Sequence, residues 1–190
     1  ILKFLIFKER NYMVGSKKIF EIPNILYKNK LEGHQEPVED VKIYKRTIVS
    51  GSRDGTIRIW DLISGNCIKV LKGHTNTVSS VDLNDEIIAS GSFDNTIRIW
   101  DKFSGECIKI LEGHKRNVLD ITLNGDGLIS CSEDQTIKIW DWRQGICTDT
   151  IECHDRKISK VTINKDKIIS ASWDHTVKVW KMNPCKCSYT

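Results

Sequence analysis

His74, Ser90 and Asp94 are the side chains from which a nucleophilic hydrolase is assembled: a hydroxyl to attack, an imidazole to take its proton, and a carboxylate to orient the imidazole. The same trio recurs as His34, Ser50 and Asp54, as His114, Ser130 and Asp134, and as His154, Ser170 and Asp174. Each is followed by a tryptophan, Trp60, Trp100, Trp140 or Trp180. A catalytic triad is one exposed constellation beside an oxyanion hole. A trio repeated with an indole attached reads instead as a structural part. The chain also has no G-x-S-x-G elbow, H-E-x-x-H pair or G-x-x-x-x-G-K loop. The expectation is therefore a protein that is not an enzyme.

The elements that position these residues follow from the spacing. Every histidine, aspartate and tryptophan of the set steps by 40 residues, which divides the chain into repeats 31–70, 71–110, 111–150 and 151–190 without insertion or deletion. A period of this length signals repeat architecture. Within one repeat, "NTVSSVDL" (76–83), "EIIASGS" (86–92), "TIRIW" (96–100) and "ECIKIL" (106–111) read as strands, rich in β-branched residues. Asn84-Asp85, Asp94-Asn95 and Ser104-Gly105 supply the reversals between them. Four short strands in one period leave no room for a helix, so each repeat is expected to be a four-stranded antiparallel meander.

With Gly-His opening the repeats and Trp-Asp closing the third strand, the sequence resembles the WD-repeat β-propellers over residues 31–190. The resemblance implies an all-β fold of four complete blades and one partial, degenerate blade at 1–30, all in one propeller domain. "GSKKIFEIPNILYKNKLEGH" (15–34) aligns without a gap on residues 55–74, placing Phe20 at the Trp60 position and Glu21 at the Asp61 position, with "ILKFLIF" as a candidate earlier strand. It also implies that each His, Ser, Asp and Trp set forms a hydrogen-bonded relay inside its blade. The types suit that role: indole N–H only donates, serine and imidazole do both, and carboxylate accepts. In the last repeat Cys153 replaces the glycine and Lys181 the aspartate after tryptophan, and the final strand "CKCSYT" is more polar than its counterparts. Propellers hide sheet edges by closing radially. The chain is accordingly expected to be an open arc, either part of a larger and commonly seven-bladed ring or a half-propeller completed by a second copy.

Charge and cysteine usage narrow the partners. The net charge is +4, but residues 1–30 hold seven Lys/Arg against two Glu, so the repeated body is nearly neutral and lacks the basic stripe of a nucleic-acid binder. Cys67, Cys107, Cys147 and Cys187 share the period and read as small buried residues in a reducing compartment. Cys153, Cys185 and Cys187 lack the paired spacing of a structural zinc site. Neither a metal nor a cofactor is expected. The apolar opening Ile1–Phe7 is shorter than the roughly 20 residues of a membrane span. An intracellular protein, cytoplasmic or nuclear and without a membrane segment, is expected.

Binding should fall on surface positions near the aspartate turns. Arg53, Phe93, Glu133 and Trp173 precede the turn aspartate; Gly55, Asn95, Gln135 and His175 follow it; Glu39, Ser79, Leu119 and Ser159 face the same mouth from the first strand. Because these positions change type between repeats, the candidate partner site is Arg53, Phe93, Glu133, Trp173, His175 and Glu39. The alternative, that Trp173 packs on a neighbour and Arg53 is merely solvated, stays open. Charge shifts around this rim from Glu36, Glu39 and Asp40 to Lys115, Arg116, Arg156 and Lys157. Protein or peptide partners are expected, in a scaffold. "SGECIKILEGH" (104–114) is similar to the propellers of F-box/WD-repeat proteins, so substrate recognition for an F-box type ubiquitin ligase is the first alternative. An RNA or ribosome-assembly factor is the second.

Overall fold

In a computed structural model, the described residues are 13–14, 17–18, 30–152 and 154–181, and they form two compact units, Ile1–Lys30 and Leu31–Thr190. In the first, β1 (Met13–Val14) pairs antiparallel with β2 (Lys17–Lys18). Ile1–Phe7, Phe20 and Glu21, on which the degenerate-blade reading rests, lie outside the described residues, as do Cys153, Cys185, Cys187 and the last strand "CKCSYT".

The second unit is built from meanders. β3 (Val38–Tyr44), β4 (Thr47–Ser52), β5 (Thr56–Asp61) and β6 (Cys67–Lys72) form the first blade in that order. β7 (Val78–Leu83), β8 (Ile87–Ser92), β9 (Ile97–Asp101) and β10 (Cys107–Leu111) form the second. β11 (Val118–Asn124), β12 (Gly127–Ser132), β13 (Thr136–Asp141) and β14 (Ile146–Glu152) form the third, and β15 (Ile158–Asn164), β16 (Lys167–Ser172) and β17 (Val177–Lys181) the described part of the fourth. The described residues form an all-β fold in which neighbouring strands are antiparallel, as the short turns between successive strands require.

The core lies between blades. Val78, Val81 and Leu83 of β7 pack with Val49, Ile57 and Ile59 of the first blade, and Val118 and Ile121 of β11 with Ile97 and Ile99 of the second. These contacts need a small residue on the receiving strand. A Cβ at Gly51 would stand 2.7 Å from Val78 Cγ1, and one at Gly91 2.8 Å from Val118 Cγ1.

The periodic cysteines depart from expectation. Cys67, Cys107 and Cys147 are exposed rather than buried, because they lie at the start of the outermost strand of the first three blades, where no further strand covers them. Register slips there, between Ile59 and Trp60 opposite Cys67. Arg58 Nη1 donates to Cys67 Sγ at 3.6 Å and Arg98 Nη1 to Cys107 Sγ at 3.8 Å. Among the described cysteines Cys131 is buried, and its Sγ donates to the Ile158 carbonyl at 3.3 Å.

Candidate functional site

Each hairpin between second and third strands turns through an aspartate, and the loop entering the blade lays its histidine against that turn. In the second blade His74 Nδ1 lies 2.7 Å from Asp94 Oδ2 and His74 Nε2 lies 2.8 Å from Ser90 Oγ, while Trp100 Nε1 donates to the same Oγ at 2.8 Å. The first blade repeats this through His34, Asp54, Ser50 and Trp60 at 2.9, 2.8 and 2.9 Å. The third does so through His114, Asp134, Ser130 and Trp140 at 2.8, 2.7 and 2.8 Å. In the fourth, His154 keeps Asp174 at 2.6 Å and Ser170 at 2.8 Å, but the half-buried Trp180 reaches Ser170 at 3.2 Å.

The donor order shows how each polar group of this constellation is satisfied. The indole N–H occupies one lone pair of the serine oxygen, leaving the hydroxyl proton for His Nε2, and His Nδ1–H then donates to the carboxylate. All four serines are buried. A substrate carbonyl has no line of approach to their oxygens.

Two members of the network escaped the sequence reading, although the D-x-T pattern carries one and the serine that ends every second strand the other. Thr96 donates its hydroxyl to Asp94 Oδ1 at 2.7 Å and its N–H at 3.0 Å, and Thr56, Thr136 and Thr176 do likewise in their blades. Ser92 Oγ accepts the Asp94 N–H at 3.0 Å and donates to the Asn76 carbonyl at 3.2 Å.

These donors hold the carboxyls of Asp54, Asp94, Asp134 and Asp174 well below the usual carboxylate range. Burial by itself pushes each upward, and hydrogen bonds from threonine and histidine side chains and from main-chain N–H groups outweigh it. Asp61 and Asp101 are lowered too, first by the main-chain N–H groups of Ser64 and Ser104. Asp82 alone is raised among the described aspartates whose shift is resolved, mainly by burial. With the folded value depressed, the native state stays deprotonated where the unfolded chain already takes up protons. This stability is present above the ordinary carboxylate pKa, about 4, and is lost as pH falls below it. The melting temperature should thus drop steeply from about pH 4 downward, as a thermal melt series would show; a flat profile there would contradict the network.

On the rim the candidates resolve into pairs. Arg53 is ion-paired to Glu39, so it is not merely solvated. Glu133 meets Lys157 at 3.4 Å, and Lys157 Nζ sits 3.8 Å from the centre of the Trp173 ring. Trp173 remains 57% exposed. Phe93 is half-buried, its N–H bonded to the Thr77 carbonyl at 2.9 Å. Ser79 and Leu119 turn toward the next blade instead: Ser79 Oγ donates to the Val118 carbonyl at 2.6 Å, and Leu119 packs beside the core between blades three and four. The position after the aspartate is also less free than its variety suggested. Gly55, Asn95, Gln135 and His175 all have φ between 68° and 76°, a left-handed turn imposed by the hairpin. A groove of about 510 Å³ opens near His154 between Lys115, Lys138, Glu152 and Asp155. Among the described residues no group of His, Cys, Asp and Glu could hold a metal ion, and no helix is long and apolar enough to cross a membrane.

The family model for the WD domain, G-beta repeat, matches residues 26–61, 65–101, 105–141 and 145–181, most of the chain. The chain belongs to the WD-repeat family. As a WD-repeat protein it is similar to the WD repeat-containing protein pop2 of Schizosaccharomyces pombe, 37% identical over 73 residues, covering 37% of this chain and 10% of that protein. It is similar to the nuclear distribution protein nudF of Aspergillus niger, 44% identical over 54 residues, covering 26% and 12%. The aligned stretches thus span about a tenth of these relatives. Among solved structures, the computationally designed Ika4 protein superposes with a TM-score of 0.76 at 30% identity, covering 81% of this chain and 96% of that one. Ika8, also designed, gives 0.75 at 31%, covering 80% and 48%. WD repeats of this kind are protein-interaction scaffolds, generally without catalytic activity.

Proposed function

We propose that this chain is a non-enzymatic, intracellular scaffold that binds protein or peptide partners on the rim of its aspartate turns, centred on Trp173. The exposed indole carries the reading. A large aromatic left open to water, with a lysine stacked on it and a glutamate steering that lysine, is the arrangement from which interface hot spots are made. Rim charges of both signs favour a partner of mixed charge.

Substrate recognition for a ubiquitin ligase is the second reading, supported by the likeness of the short gapless repeats and of "SGECIKILEGH" (104–114) to the propellers of F-box/WD-repeat proteins. The rim disfavours phosphate as its ligand, since Arg53 is already neutralised by Glu39.

The double variant Arg53→Glu, Trp173→Ala should keep the wild-type melting temperature and weaken the main partner roughly 30-fold or more, the effect of about 2 kcal/mol at a hot spot. Phe103→Ser is the control, because this exposed residue lies in the β9–β10 turn at the opposite end of the blade. Calorimetric titration that found binding sensitive to Phe103 and indifferent to the rim pair would refute the site.

A further inference from the structure

The flanks of the first and fourth blades carry the two halves of one interface. Between blades, the receiving face presents a small residue (Gly51, Gly91 or Cys131), buried aliphatics of its third strand, and hydroxyls that bond the incoming first strand. Ser79 Oγ reaches the Val118 carbonyl at 2.6 Å, and Thr122 Oγ1 reaches the Val161 carbonyl at 3.1 Å.

The fourth blade keeps every part of this face. Ala171 is the small residue, Ser159 repeats Ser79 two periods on, and Thr162 repeats Thr122 one period on. Ser159 already makes the bond within its own blade, to the Ala171 carbonyl at 3.2 Å, as Ser79 does to the Gly91 carbonyl at 3.1 Å. Yet Val177 and Val179 are 67% and 60% exposed, where their equivalents Ile57, Ile59, Ile97 and Ile99 are buried. The first blade carries the complementary half: Val41 and Ile43 are 57% and 59% exposed, where Val81 and Leu83 are buried.

Charge fits as well. Positions 40, 80, 120 and 160 line successive first strands: Ser80 Oγ lies 3.2 Å from Asp40 and 3.0 Å from Asp120, and Lys160 Nζ lies 2.8 Å from Asp120. Lys160 ends this row and Asp40 begins it. The N–H of Val81 bonds to Asp40 at 3.0 Å and that of Val161 to Asp120 at 2.9 Å, each reaching to the preceding blade. The Val41 N–H instead bonds to its own Asp40 at 2.9 Å. A lysine at the preceding position therefore orphans no donor.

We infer that the fourth blade of one copy docks head to tail on the first blade of a second copy. Ser159 and Thr162 reach the carbonyls of Val38 and Val41, Lys160 faces Asp40, and Val177 and Val179 cover Val41 and Ile43. Two copies that make this contact in both directions form a closed pair.

Sedimentation of the whole chain from about 1 to 100 μM, where association responds to mass action, should show a species of twice the 21.8 kDa chain mass. Val41→Asp and Val179→Asp change residues exposed in a single copy, so each should keep the wild-type melt and each alone should be monomeric. Their equimolar mixture should recover the dimer, because one of its two contacts is then wild type on both sides. A wild-type chain that stays monomeric at the highest concentration would overturn the inference. So would a mixture that fails to associate, or association lost in only one variant, which marks a like-to-like contact.

Discussion

Asp94→Ala is expected to lower stability by about 3–5 kcal/mol, the range for breaking a buried charged network by removing one partner. Asp94 accepts four hydrogen bonds: His74 Nδ1 at 2.7 Å, the Thr75 N–H at 3.1 Å, the Thr96 N–H at 3.0 Å and the Thr96 hydroxyl at 2.7 Å. Alanine replaces none of them. The His74 side chain is buried, and with Asp94 gone its ring proton faces no acceptor, at roughly 1–3 kcal/mol for a buried orphan. The loss also frees the ring that holds Ser90, on which Trp100 depends. Because each blade contacts only its neighbours, the damage should centre on β7–β10 and on the contacts these strands make with β4 and β11. Urea denaturation measures the size, and a cost below about 1 kcal/mol, the level of one ordinary hydrogen bond, would show that the network is decorative.

Trp100→Ala should cost a similar amount, about 3–5 kcal/mol, since a fully buried aromatic is replaced by a cavity. The ring is 1% exposed, packs with Leu71 and Ile88 between the first two blades, and lies under Gly73, where a Cβ would meet Trp100 Cη2 at 3.0 Å. Its N–H also leaves Ser90. Trp180 provides the internal comparison. It fills the same place in the fourth blade, but it is only half-buried and its bond to Ser170 is longer, at 3.2 Å. Trp180→Ala should therefore cost clearly less than Trp100→Ala. Equal costs from paired denaturation curves would mean that burial between blades is not what the tryptophan contributes.

What the sequence revealed, and what it hid, both come from the period. A residue fixed in every repeat, such as the histidine, the second-strand serine, the turn aspartate or the tryptophan, announces its role by recurring, and the strands are marked by alternation between those points. The row at 40, 80, 120 and 160 escaped notice because it changes type as Asp, Ser, Asp, Lys, although each member bonds to the next. Recurrence misled at Cys67, Cys107 and Cys147. A constant small residue suggests burial, but the outermost strand of a blade has no neighbour to bury it. Variety misled after the turn aspartate, where Gly55, Asn95, Gln135 and His175 differ in side chain yet share one left-handed backbone. On the rim, identity could mark Trp173 and Arg53 as unusual; the pairing of Arg53 with Glu39 and the stacking of Lys157 on Trp173 arise between segments distant in sequence.

The central claim is that the repeated histidine, serine, aspartate and tryptophan fasten each blade and do no other work. Amide hydrogen exchange of Asp94→Ala beside the wild type, followed by mass spectrometry of fragments from each blade, addresses it most directly. The predicted result is loss of protection concentrated in residues 71–110, with the third and fourth blades retaining most of theirs. Unchanged protection across residues 71–110 would contradict the claim and return the Ser90, His74 and Asp94 set to consideration as a site of chemistry.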